Sequence, residues 1–207
     1  MIYRSATLDK ATSSDITKIL QTHKINSIID LRGGGESLAT EDKELRGQKL
    51  YAQKLLLSHS YVGKEGLFGL NMAFLKSGGQ DIKRMMDILA KPDSYPVIIH
   101  CSAGKDRTGL TIALIQLICN VPKDDIVNQY SDSARLLESE HGNIVQRLGK
   151  LGLGPEFSGS DATVMEKTIS FIENEYGSAS KYLESIGVGV AQQEAIKSII
   201  TVQKSKY

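Results

Sequence analysis

The chain lacks tryptophan, has only two cysteines and carries a formal net charge of +1 over 207 residues. A charge this close to zero gives no overall attraction to nucleic acid or to an anionic membrane, so any attraction for an anionic ligand must be local. No run reaches the length of a membrane-spanning helix, about 18 apolar residues, and residues 1–10 lack the apolar core of a signal peptide. We therefore expect a cytoplasmic protein with no transmembrane segment and no nucleic-acid partner.

The two cysteines lie in different settings, and we expect no disulfide between them. Cys119 follows an apolar run and is expected to be a buried, inert thiol, whereas Cys101 lies in a polar turn that contains a glycine. A reactive thiol has to stay reduced, which fits a reducing compartment.

Length and composition favour one domain. With 41% hydrophobic and 24% charged residues, the composition is that of a soluble globular protein. We expect residues 1–207 to form a single domain, with an α/β core over residues 1–150 and a helical extension over residues 155–207.

The spacing of apolar residues predicts alternating strands and helices. Strands are expected at residues 25–31, 55–57 and 97–100, and a loop at residues 58–70. Helices are expected from a cap at residues 12–14 to residue 23, and then at residues 82–89, 108–120, from 123, 136–148, 162–176, 182–186 and 191–202. The predicted fold class is α/β, with a central, mostly parallel sheet of about four to five strands flanked by helices and a helical C-terminal region. Ligands are expected at the carboxyl ends of the strands.

Residues 97–109 read VIIHCSAGKDRTG and carry most of the functional information. A strand that enters a small turn and then a helix leaves backbone N–H groups and the positive end of the helix dipole at the turn, which makes an anion site. Cys101 places a thiol at the first position of the turn, and Arg107 places a guanidinium at its last. The turn amides, the dipole and Arg107 favour the thiolate, which would attack a phosphate monoester and form a phosphocysteine that water hydrolyses. Arg107 would hold two phosphate oxygens at once.

The other residues of the turn have expected roles of their own. Gly104 suits a tight turn because it tolerates positive φ, and the hydroxyl of Thr108 would donate a hydrogen bond to Cys101. Lys105 would be either a cation at the rim that meets a second anionic group of the substrate, or a solvated loop charge. The predicted substrate-binding residues are Ser102, Ala103, Gly104, Lys105, Thr108 and Gly109.

Two aspartates compete for the role of general acid. Asp106 is the first candidate, with the alternative that it orients Arg107 or caps the helix. Asp30, at the end of a neighbouring strand, is the second, with the alternative that it forms a local ion pair with Arg32. Arg4 could reach the pocket or be an ordinary surface arginine. We expect no metal and no cofactor, since the histidines lack partners at ligand spacing.

The sequence HCSAGKDRTG, residues 100–109, resembles the Cys-x5-Arg loop of cysteine-based phosphatases, within an atypical branch of tyrosine and dual-specificity phosphatases that has an HCxAGKDRTG loop. Weaker similarity to that branch is found at Tyr3-Arg4-Ser5, Asp30-Leu31-Arg32, Glu175-Tyr176-Gly177 and Lys181-Tyr182-Leu183. The resemblance implies the cysteine-phosphatase fold and metal-independent hydrolysis. Ordinary tyrosine phosphatases bring their acid on a separate loop, often beside a tryptophan, which this chain lacks, so the acid stays open between Asp106 and Asp30.

The expected function is phosphomonoester hydrolysis on phosphotyrosine proteins, and also on phosphoserine or phosphothreonine. A phosphoinositide phosphatase is the alternative, although the chain has no polybasic cluster to hold it on a membrane. A non-catalytic phosphate-binding module would not need the thiol of Cys101, and an arsenate-reducing or sulfur-transfer enzyme would need a resolving thiol closer than Cys119. The pocket walls are expected from residues 33–35 and 58–70.

Overall fold

In the computed structural model, residues 1–33, 49–52, 65–150 and 152–204 are described, and they contain a sheet of four strands. The strands are β1 (Ile2–Ser5), β2 (Ser27–Asp30), β3 (Lys49–Ala52) and β4 (Val97–His100). Their order across the sheet is β1-β4-β2-β3, and each pair of neighbours runs parallel. Because Ser5, His100 and Asp30 are in register, the three chain segments that follow β1, β4 and β2 leave the sheet at one edge.

Two of the strands match the sequence prediction. β4 spans the predicted residues, and β2 is a shorter form of the strand predicted at residues 25–31; both are buried at every position, as an apolar run in a parallel sheet should be. The edge strand β1 was not predicted, because its four residues are half-buried and show no apolar run. The strand predicted at residues 55–57 lies outside the described residues, whereas β3 falls at residues 49–52.

Helices surround the sheet and make up most of the second half of the chain. A short helix, α1 (Ser13–Thr17), starts with a capping box between Thr12 and Asp15 and continues as a π-helical turn, Lys18–Thr22. The remaining helices are α2 (Gly66–Ser77), α3 (Gly79–Leu89), α4 (Asp106–Ile118), α5 (Lys123–Leu136), α6 (His141–Lys150), α7 (Ala162–Tyr176), α8 (Ala179–Ser185) and α9 (Val190–Lys204). Within the described ranges, every helix is too short or too polar to span a bilayer.

The loop predicted at residues 58–70 is wrong at its C-terminal end. Residues Gly66 to Leu70 form the start of α2, where Leu67, Leu70 and Phe74 are buried at helical spacing. Gly66 and Gly69 obscured this helix in the sequence, since glycine is a poor helix former and usually indicates a loop.

Both faces of the sheet are covered, as the α/β prediction requires. Side chains alternate across the strands, so Ile29 and Ile99 face the larger core, while Ile28 and Ile98 face the smaller one under α1. The larger core also contains residues from α2, α3, α4, α8 and α9, among them Phe74, Met86, Leu114, Leu183 and Ile196. This packing places α4 behind the carboxyl end of β4.

Candidate active site

The predicted anion-binding turn lies between β4 and α4, and we call residues 101–105 the cysteine loop. The backbone N–H of Gly104 donates a hydrogen bond of 3.2 Å to Sγ of Cys101, which is only 2% exposed. Asp106, Arg107 and Thr108 form the first turn of α4, so the helix begins directly behind the thiol. A sulfur held by a backbone amide at a helix N-terminus is in an environment that favours negative charge.

Two features of the backbone at position 104 require glycine there. Its φ is +74°, and a Cβ built on it would lie 2.4 Å from the carbonyl oxygen of Ser5. The expected positive φ is thus observed, and the crowding comes from the end of β1 behind the loop. The N–H of Thr7 also donates a hydrogen bond of 3.1 Å to the carbonyl oxygen of Ser102, so two points of the loop rest on the segment after β1.

Arg4 braces the same loop from β1. Its Nη2 donates hydrogen bonds of 2.9 Å to the carbonyl oxygen of Gly104 and 3.1 Å to Oγ of Ser133 on α5. It is neither an ordinary surface arginine nor, among the described residues, part of the lining of the pocket over Cys101. The weak family resemblance at Tyr3-Arg4-Ser5 was the one signal in the sequence that pointed to this segment.

Arg107 is buried beside the thiol. Its Nη1 donates a hydrogen bond of 3.3 Å to the carbonyl oxygen of Leu31, at the end of β2, and its Nη2 donates one of 3.1 Å to Oγ of Ser102. The end of the neighbouring strand thus helps to orient the guanidinium toward the loop, as a bidentate clamp requires.

A pocket opens above the cysteine loop. Its floor contains Cys101, Ser102, Ala103, Asp106 and Arg107. Its walls are mainly apolar and come from α2, from α6 and from the segment up to the 3-10 turn Pro155–Ser158: Leu67, Leu70, Phe74, Ile144, Leu148, Leu153 and Phe157.

Only part of this wall was predicted. Leu67 and Leu70 belong to the predicted wall at residues 58–70, but the sequence gave no indication of α6 or the 3-10 turn as walls. Of the other predicted wall, residues 34 and 35 lie outside the described residues. The helical spacing of Ile144 and Leu148 in the sequence predicts that this helix has a buried face, but it does not predict that this face lines the pocket.

Lys105 is buried beside the pocket. It is 1% exposed, and its Nζ donates hydrogen bonds of 2.7 Å to Oδ1 of Asp106 and 2.8 Å to the carbonyl oxygen of Phe157. The solvated loop charge is therefore wrong, and contact of Lys105 with a second anionic group of the substrate stays a prediction. Asp106 keeps part of its surface exposed and lines the pocket beside Cys101.

Asp30 lies in a buried ion pair. It accepts hydrogen bonds of 2.9 Å and 2.8 Å from Nε and Nη2 of Arg32, which also pairs with Asp9. Burial raises the pKa of Asp30, but the hydrogen bonds and charge of Arg32, together with the charge of His100, outweigh burial and hold the pKa below the ordinary range. Burial also lowers the pKa of His100, whose Nδ1 lies 3.3 Å from the carbonyl oxygen of Cys101. Within the described residues, Asp30 does not line the pocket.

The end of the motif packs behind the pocket. Oγ1 of Thr108 is buried without a hydrogen-bond partner among the described residues, so the expected bond to Cys101 is not observed. A Cβ on Gly109 would lie 2.8 Å from the ring of Tyr130, so this glycine permits close packing of α4 on α5. Gly104, Thr108 and Gly109 do not line the pocket in the part of the chain that the structure describes. In that part, no group of three His, Cys, Asp or Glu side chains is placed to hold a metal ion.

Comparison with known proteins places this site in a family. A tyrosine-protein phosphatase from Nostoc commune is 27% identical over 214 residues, covering 94% of this chain and 72% of that protein. The triple specificity protein phosphatase PtpB of Mycobacterium tuberculosis is 28% identical over 134 residues, covering 58% of this chain and 48% of that protein. The solved Siw14 catalytic core shares the fold, with a TM-score of 0.52 and 21% identity over 84% of this chain and 82% of that one.

A family model described as the tyrosine phosphatase family matches residues 1–202, which include both β1 and the helices after α4. The matched range therefore contains the cysteine loop, Arg107 and the four strands of the sheet. The chain belongs to the tyrosine phosphatase family and is a phosphatase.

Proposed function

We propose that this phosphatase hydrolyses phosphate monoesters through a phosphocysteine formed at Cys101. The observation that carries the proposal is the placement of Sγ of Cys101 on a backbone N–H, with the anchored guanidinium of Arg107 in the same pocket. The thiolate attacks phosphorus and forms an S–P bond while the P–O bond to the leaving group breaks. Water then attacks the phosphocysteine, inorganic phosphate leaves, and the thiolate is restored.

Binding of the phosphoryl group needs no metal in this arrangement. The backbone N–H groups at the start of α4 supply donors for the phosphate oxygens, and Arg107 supplies two more in a fixed plane. Leu31 and Ser102 hold the guanidinium of Arg107 in place before the substrate binds. The guanidinium therefore needs little reorganisation when charge redistributes in the transition state.

We assign proton transfer to Asp106 and not to Asp30. Asp106 lines the pocket beside Cys101 and is partly exposed, so its carboxyl group can reach a leaving oxygen and later a water molecule. Asp30 is buried in its ion pair with Arg32 and, within the described residues, does not line the pocket, so its carboxyl group does not reach the leaving oxygen.

The substrate that fits the pocket best is an aryl phosphate, as in phosphotyrosine. The walls formed by the described residues are mainly apolar, and they would pack on an aromatic ring more favourably than on the hydroxyls of an inositol ring. The Nostoc relative is named a tyrosine-protein phosphatase, and the name of PtpB indicates a wider range of substrates.

A phosphoinositide is the second candidate substrate, and one observation favours it. Arg147 lines the pocket from α6 and is exposed, which places a cation at the mouth where a second phosphate would meet it. An acidic residue next to a phosphotyrosine would present the same chemistry.

Hydrolysis and trapping together test the proposal. The wild type should release phosphate from phosphotyrosine peptides and, after rapid acid quench with labelled substrate, carry label on the protein; Cys101→Ser should do neither. A Cys119→Ser variant is the matched control and should keep both properties. Equal turnover by wild type and Cys101→Ser would reject the cysteine mechanism, and turnover confined to soluble phosphoinositides would replace the aryl phosphate by the second candidate.

A further inference from the structure

The side chain of Lys105 is the least expected feature of the cysteine loop. It belongs to a motif that binds anions, yet its ammonium group is enclosed by protein and is 1% exposed. An ammonium in that position has to be paired and hydrogen-bonded, since an unpaired charge enclosed by protein is strongly destabilising. Its two partners therefore indicate what the residue does.

The first partner is the carboxyl group of Asp106, whose Oδ1 lies 2.7 Å from Nζ of Lys105. Adjacent residues do not normally face each other at a helix start, so this contact restricts the carboxyl group to one side of the turn. That side is the pocket, which both residues line.

The second partner is the carbonyl oxygen of Phe157, 2.8 Å from Nζ. This residue lies in the turn Pro155–Ser158, and its ring is a wall of the pocket. The turn is also held by α6, because Nε2 of His141 lies 3.0 Å from Oγ of Ser158. Lys105 thus connects the cysteine loop to the wall that covers it.

We propose that Lys105 is a positioning residue, which holds the carboxyl group of Asp106 at the leaving-group side of the pocket by fixing it to the turn at Phe157. This inference rests on the proposed function, because it concerns proton donation to the leaving oxygen. Lys105 does not bind a second anionic group of the substrate, since such a group would have to displace both of its partners.

The experiment separates proton donation from substrate binding with two esters. Phenyl phosphate has a poor leaving group that needs a proton, whereas the leaving group of p-nitrophenyl phosphate departs with little help. Lys105→Met keeps the apolar part of the side chain and removes the ammonium. It should lower kcat for phenyl phosphate by about tenfold or more, change kcat for p-nitrophenyl phosphate by less than about threefold, and leave both KM values nearly unchanged.

Coupling to Asp106 is measured by a double-mutant cycle. If Lys105 acts through Asp106, the double variant Lys105→Met/Asp106→Asn should be no slower on phenyl phosphate than Asp106→Asn alone. Lys123→Met, which removes an exposed lysine paired with Glu173, is the control and should leave both rates unchanged. The ratio of the two rates does not depend on how much enzyme is folded, so even a destabilised Lys105→Met variant tests the proposal. Lys105→Gln, which also removes the ammonium, is a second variant for the same test.

Two results would overturn the proposal. An unchanged ratio of the two rates would remove the link to the proton donor. A large rise in KM for a bisphosphorylated substrate, with kcat unchanged, would make Lys105 a substrate ligand. Neither result touches the proposed phosphocysteine mechanism, which fails if Cys101→Ser keeps its activity.

Discussion

Nη2 of Arg4 donates a hydrogen bond of 2.9 Å to the carbonyl oxygen of Gly104, across 100 residues of sequence. The same guanidinium reaches α5 through Oγ of Ser133 and the carbonyl oxygen of Gln129. The first strand therefore contributes more than an edge to the sheet, because it ties the cysteine loop to the helix that packs behind α4. The shape of the phosphate-binding loop depends on residues far from it in sequence.

Replacing Arg4 by methionine should weaken both stability and activity. Hydrogen bonds from a charged group contribute about 2 kcal/mol, and the carbonyl of Gly104 would lose its donor, so we expect a comparable loss in the free energy of unfolding. A small displacement of the loop should also reduce kcat/KM by about tenfold. Urea denaturation and initial rates measure the two effects. Arg135→Met, at an exposed position on α5, should change neither; an unchanged kcat/KM in Arg4→Met would show that the loop holds its shape alone.

Gly104→Ala should be among the most damaging single changes in the chain. The added Cβ would overlap the carbonyl oxygen of Ser5, and the positive φ would be strained for alanine, which together should cost about 3 kcal/mol. Activity should fall about a hundredfold or more because the loop has to move. Gly142→Ala is the matched control, since a Cβ there meets no described atom within 4 Å and the helix should gain up to about 1 kcal/mol. Similar effects of the two substitutions on thermal unfolding and on rate would contradict this account.

The local parts of the site were predictable, and the parts that depend on distant contacts were not. The strand β4, the turn and the start of α4 follow from one continuous run of sequence in which apolar spacing, a glycine and the Cys101–Arg107 interval all agree. The burial of Lys105 depends on the carbonyl of Phe157, which lies 52 residues further on. A lysine in a loop has no sequence pattern that names such a partner, so exposure was the natural expectation.

The walls of the pocket show the same limit. The periodic apolar residues of α2 and α6 indicate that each helix has a buried face, but periodicity does not tell which element that face meets. Asp30 is the opposite case, because its partner Arg32 is two residues away and the ion pair could be proposed from the sequence alone.

Asp30→Asn should lower the free energy of unfolding and leave proton transfer to the leaving group unchanged. Burial raises the pKa of Asp30 in the folded protein, but the hydrogen bonds and charge of Arg32, with the charge of His100, together lower it below the pKa of the unfolded chain. The stabilisation from Asp30 is therefore present above the pKa of the unfolded chain and is lost as the pH falls. Breaking this buried pair should cost about 3 kcal/mol at pH 7, and the difference from wild type should shrink below about pH 4. Denaturation at several pH values measures this effect.

The catalytic comparison uses the same variant. With Asp106 as the acid, folded Asp30→Asn should keep kcat on phenyl phosphate within about threefold of wild type, whereas Asp106→Asn should lower it by about a hundredfold. Asp132→Asn removes an exposed carboxylate 3.7 Å from Arg135 and should change stability by at most about 1 kcal/mol. A hundredfold fall of kcat in folded Asp30→Asn, with Asp106→Asn unchanged, would transfer the proton donor to Asp30.

Arg147→Met should change which substrates are preferred without changing the chemical step. Arg147 lines the pocket on the same face of α6 as Ile144 and Leu148, and its side chain is exposed, so an anionic group at the pocket mouth would meet it. An exposed ion pair is worth about 1 kcal/mol, so KM should rise about fivefold for a phosphotyrosine peptide with acidic neighbours or for an inositol bisphosphate. KM for phenyl phosphate should not change, and the effect should shrink at high salt. Lys150→Met, a substitution on the same helix at a residue outside the described pocket lining, is the control. An equal rise in KM for phenyl phosphate would mean that Arg147 shapes the pocket instead of reading charge.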